Sequence, residues 1–137
     1  MIQRIQSVWL LLASACAFLS LKLPYYSGTN ILTNQFKLLS GSSTYPLLIL
    51  TVIIGVLALF IIFTFKNRVA QLRLCVLGIV LEALLIFLYY REISSSFSSG
   101  NYALTSLLHS GIILFFVLAA RAINKDEKMV KESDRLR

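Results

Sequence analysis

The chain has 137 residues, 58% of them hydrophobic and 14% charged, and a formal net charge of +7. Soluble domains carry about 45–50% apolar and about 25% charged residues, so this composition excludes an ordinary water-soluble fold and leaves little chain for a soluble catalytic domain. Nor does the positive charge read as a nucleic-acid footprint, because no basic face or aromatic platform accompanies it.

Four apolar segments follow one another, at 7–23, 46–65, 72–90 and 102–122. Each is long enough to cross about 30 Å of hydrocarbon as a helix. Backbone amides in lipid must find partners within their own segment, and the runs lack the alternation of barrel strands, so helices are predicted. The first segment opens like a lipoprotein signal, with Arg4 ahead of Ala13-Ser14-Ala15-Cys16. Ala13 is a poor residue at that spacing and the chain stays apolar beyond Cys16, so an uncleaved first helix is expected. Trp9 is expected to anchor it at the inner face. In the link 24–45, the turn signals SGTN and SGSS flank ILTNQFKLL, which reads as a short strand or interfacial turn. Pro46 suits a first helical turn. The short link 66–71 makes the second and third helices antiparallel neighbours. The serine-rich stretch 93–101 reads as a flexible loop. The tail 123–137 is expected to continue the fourth helix, with Glu127 placed four residues before Lys131.

Orientation follows from the basic residues. Ten lie on the side of the termini and the 66–71 link, against three (Lys22, Lys37 and Arg91) on the other. Basic flanks stay in the cytoplasm. Tyr25, Tyr26, Tyr45, Tyr89, Tyr90 and Tyr102 all fall at helix ends on the opposite side, where a tyrosine ring is buried and its hydroxyl wet. The expected fold is an all-α, single-domain, four-transmembrane-helix bundle running up-down-up-down. It lies in the bacterial inner membrane, with both termini cytoplasmic and a short helical C-terminal tail.

Cys16 and Cys75 sit in apolar runs and read as buried small side chains. Glu82 falls near the middle of the third helix, where an ionised carboxylate costs several kcal/mol. From the rise per residue, Glu82 lies about 12 Å from the helix end at Tyr90, and His109 about 10 Å from the end at Tyr102. The two are therefore expected at one depth, as an interhelical hydrogen bond first, with a proton relay or a binding site for a lipid or partner helix as alternatives. One carboxylate and one imidazole fall short of a metal site, and phosphate loops and hydrolase motifs are absent; no metal, cofactor or catalytic residue is expected. Arg121, Lys125 and Lys128, near the membrane surface, are candidates for docking a partner or contacting anionic lipid.

The opening MIQRIQSVWLLLA and the closing LAARAINKDEKMVKESDRLR resemble the small four-helix membrane proteins of Bacteroidota grouped as domain of unknown function 4293. The likeness spans the chain in length and layout, with its specific motifs at Met1 to Gln6 and Ala119 to Arg137. It implies an inner-membrane protein without an established activity and carries over no site residue. The expected role is a non-enzymatic accessory or scaffolding subunit, with the lipid bilayer and other membrane subunits as partners and no nucleic acid. The alternative is a small transporter or proton-coupled channel subunit using Glu82 and His109.

Overall fold

The computed structural model describes residues 2–137, with side chains from residue 5 onward. Met1 and the side chain of Arg4, which enters the basic count, lie outside the described residues. Four helices dominate: α1 (Ile2–Ser20), α2 (Tyr45–Phe63), α3 (Arg68–Ser96) and α4 (Leu107–Arg135). Each packs on its neighbour in the chain, and α1 closes the ring against α4. The buried residues of α3 recur in steps of three and four (Gln71, Cys75, Gly78, Glu82, Leu85, Tyr89). Those of α4 do the same (His109, Ile112, Phe116, Ala119, Ile123). That spacing is one stripe of a helix, so the two stripes face each other along the bundle axis. Gly78 permits the approach, since a Cβ there would lie 2.7 Å from the Phe116 ring. Outside the stripes, Ile53, Val56, Phe60, Val80, Phe87 and Leu114 are exposed. Such an apolar belt suits lipid rather than water.

Tyr45–Phe63, Arg68–Ser96 and Leu104–Arg135 are long and apolar enough to cross a membrane; the described apolar stretch of α1, Ile5–Ser20, is shorter. α1 stops before its predicted end because Leu21, Lys22 and Leu23 wind into a turn on the carbonyls of Phe18 and Leu19, and Pro24 then begins a strand.

The all-α expectation requires a correction. A three-stranded antiparallel sheet, in the order β2-β1-β3, caps one end of the bundle: β1 is Pro24–Asn30, β2 is Phe36–Ser40 and β3 is Phe97–Tyr102. β2 lies where a strand or turn was predicted. Its hairpin turns through Asn34 at φ 51, a left-handed conformation that asparagine tolerates, and Asn30 Oδ1 accepts from Leu32 N at 2.8 Å. β3 replaces half of the predicted flexible loop. The other half is helix, as α3 runs on to Ser96 with the Ser95 hydroxyl returned to the Glu92 carbonyl. β1 and β3 approach closely because Gly28 pairs with Gly100; a Cβ on Gly100 would sit 2.3 Å from the Ser27 carbonyl oxygen.

Candidate functional site

Glu82 reaches the bundle axis because it shares the inward stripe of α3, and His109 because it opens that of α4. His109 Nδ1 lies 2.6 Å from Glu82 Oε1. Both side chains are buried, Glu82 completely. One proton lies between the two atoms; a neutral imidazole donating Nδ1–H to a carboxylate would leave the pair negative, and the alternatives are a neutral acid donating to Nδ1 and a protonated imidazole donating to the carboxylate. In the last two arrangements the pair has no net charge, which is what burial away from water favours. Glu82 Oε2 has no hydrogen-bond partner among the described residues.

Aromatic rings wall the pair on the sheet side. Tyr25 of β1 stacks on Tyr89 of α3 with centroids 4.1 Å apart, and their edges meet the His109 ring at 5.2 and 5.1 Å. Tyr102 closes on Tyr25 edge-on. Tyr25 is held there by its carbonyl, which accepts from Ala103 N at 3.0 Å, while the Thr105 hydroxyl donates to the Pro24 carbonyl. Burial first, then Tyr102 and then Glu82, raises the Tyr25 phenol above its ordinary pKa. From sequence alone all six tyrosines are expected to be headgroup anchors. Tyr45, Tyr90 and Tyr102 are exposed, but Tyr26 is buried and Tyr89 fully so, and Tyr89 Oη has no partner among the described residues. Its spacing of seven from Glu82 places it on the same stripe and was a legible sign. Tyr25 gave none, since only the sheet brings it to His109.

At the opposite end, the turn between α2 and α3 is tied to α4. Arg68 Nη2 lies 3.2 Å from Asp126 Oδ2, and Arg68 Nη1 donates to the Asp126 carbonyl at 3.1 Å. Beneath this tie, Gln71 Nε2 donates to the Ile61 carbonyl at 3.2 Å. Gln6, Arg68, Gln71 and Asp126 line a cavity of about 20 Å³, and Gln6 Nε2 is buried without a partner among the described residues. Sequence reasoning passed over Gln6, Gln71 and the Arg68–Asp126 contact. The glutamines, isolated polar residues in apolar helices, were the available signal.

Arg121, Asn124, Lys125 and Lys128 are exposed on α4. Their spacing puts them on one face. Among the described residues no carboxylate lies within ion-pair distance of the three cations: Asp126 is held by Arg68 and Glu127 by Lys131 at 2.7 Å, and Glu132, one turn beyond Lys128, is exposed. Trp9 stacks on Phe115 at 5.9 Å. The cysteines are both free, Cys75 being buried and Cys16 half-buried.

The fold and the buried polar pair thus define a mostly helical protein with membrane-length apolar helices and a small sheet cap. The chain belongs to the family described as Domain of unknown function (DUF4293), whose model matches residues 2–136. No curated protein and no solved structure matches it.

Proposed function

We propose that this is an integral protein of the bacterial inner membrane. Its four helices cross up-down-up-down with both termini in the cytoplasm, and it serves as a non-enzymatic accessory or scaffolding subunit. The observation that carries the role is the far end of α4. The helix continues without a break to Arg135, and every residue from Lys128 onward is exposed. A helix end that buries nothing in its own chain, and mixes Met129 and Val130 with charges of both signs, offers a surface for another subunit. The ten-to-three split of basic residues supports the orientation.

Removing Glu127 to Arg137 tests this, with Asp126 retained because it holds Arg68. The shortened chain is expected to stay inserted and folded while losing the subunits that copurify in gentle detergent. A shortened chain that keeps them all contradicts the docking role.

A second reading, a small transporter or proton-coupled channel subunit, is favoured by Glu82 Oε2 and Tyr89 Oη, two buried oxygens beside His109 without partners among the described residues. Its test is pH-dependent flux into liposomes that Glu82→Gln abolishes.

A further inference from the structure

A shallow groove of about 240 Å³ runs between α3 and α4 near the Arg68–Asp126 end. Its walls are apolar, formed by Leu72, Val76, Val117 and Ala120, and its mouth is Arg121 with Asn124. We propose that this groove binds an anionic phospholipid of the cytoplasmic leaflet, with an acyl chain along the apolar walls and the phosphate on Arg121 and Asn124. The inference rests on the membrane reading above. Three observations select this occupant. Arg121 ends an apolar stretch of α4, which places its guanidinium at the boundary between hydrocarbon and headgroups. A guanidinium fork matches phosphate oxygens in two parallel hydrogen bonds, and the Asn124 amide one turn further on supplies another donor. The exposed face then continues through Lys125 and Lys128, neither within ion-pair distance of a carboxylate among the described residues, so its charge is available to an acidic headgroup. A zwitterionic lipid would fill the groove equally well and offer the same phosphate, but its own headgroup cation would face Arg121, Lys125 and Lys128 and offset the attraction.

The test uses the full-length protein in detergent, titrated with dioleoylphosphatidylglycerol or dioleoylphosphatidylcholine and read by native mass spectrometry. The anionic lipid is expected to bind at least about tenfold more tightly, given about fivefold per cation near the headgroup. Arg121→Gln is expected to remove about fivefold of that preference, as is Lys125→Gln with Lys128→Gln to a similar or greater degree. Val76→Trp, which fills the groove, should weaken both lipids, and Arg91→Gln at the other end of α3 should change nothing. Equal binding of the two lipids, or a preference that Arg121→Gln leaves undiminished, overturns the proposal. So does competition by soluble glycerol phosphate, which would mark a simple anion site, or loss of a protein subunit instead of lipid in the lysine variant. Release of the chain from membranes by alkaline carbonate would instead defeat the membrane reading itself, and is scored separately.

Discussion

Two ionisable contacts join α3 to α4, one midway along α3 on the side of the sheet cap and one at the far end of the bundle, and their settings differ sharply. On the capped side, Glu82 and His109 meet at 2.6 Å within a wall of rings, both buried. At the other end, Arg68 and Asp126 meet at 3.2 Å with side chains 27% and 14% exposed. Water beside the second pair screens it and solvates either partner when the other is gone; nothing does so for the first. The difference teaches that position, not charge, sets what each contact contributes. The buried pair specifies how the bundle interior closes, and the half-wet pair only fastens a turn to a tail.

The largest effect is expected where that contrast is sharpest. His109→Leu strips Glu82 of the partner of its Oε1 while Oε2 already has none among the described residues, at a cost of about 3 kcal/mol. This should be read as a clear fall in melting temperature in detergent. Replacing both residues by leucine should recover most of the loss, since no polar group is then stranded. A single substitution as mild as Arg68→Gln would break the comparison.

Gly100→Val comes next. Its new Cβ would overlap the Ser27 carbonyl oxygen at 2.3 Å and Gly28 Cα at 2.6 Å, so β3 should detach at a cost of about 1–3 kcal/mol. Hydrogen exchange is expected to accelerate in residues 24–30 and 97–102, with the α3/α4 interior still protected. Arg68→Gln should cost about 0.5 kcal/mol, within the range of exposed pairs, and high salt should mimic it in the unaltered chain.

The smallest effect is a pH dependence confined to the capped end. The folded Tyr25 phenol holds its proton to higher pH than the unfolded one, whose value is 10.0. The stability it contributes is therefore complete below about pH 10 and is lost as pH climbs above that. Alkaline titration should loosen the sheet in the unaltered chain, and Tyr25→Phe should flatten that response.

The helices were legible in the sequence because their apolar runs are long and their stripes regular. Glu82 was legible as the one carboxylate inside such a run, and His109 because simple rise per residue put it at the same depth. The sheet was harder to see. PYYSGTN and FSSGNY alternate weakly and pair across some seventy residues, with their close approach set by two glycine backbones and their side-chain contacts, Tyr26 edge-on to Phe97 and Tyr102, visible only once the strands are paired. The serine-rich stretch that reads as a loop is half helix, with the Ser95 hydroxyl donating to the Glu92 carbonyl and the Ser96 hydroxyl to Glu92 Oε1, so that both are satisfied within the last turn of α3. The Tyr25–Tyr89–His109 wall depends on that sheet and was hidden with it. Arg68 and Asp126 were visible only as members of basic and mixed-charge flanks.

The central claim is that these two unlike ends lie on opposite sides of one membrane. It is tested most directly by placing a single cysteine at Gln35, in the exposed hairpin of the sheet, or at Lys66, in the exposed turn before α3, in a chain with Cys16→Ala and Cys75→Ala. Intact cells are then treated with a membrane-impermeant thiol reagent. Labelling of the Gln35 site in intact cells, and of the Lys66 site only after lysis, is the predicted result; the reverse order, or labelling of both sites from one side, would contradict it.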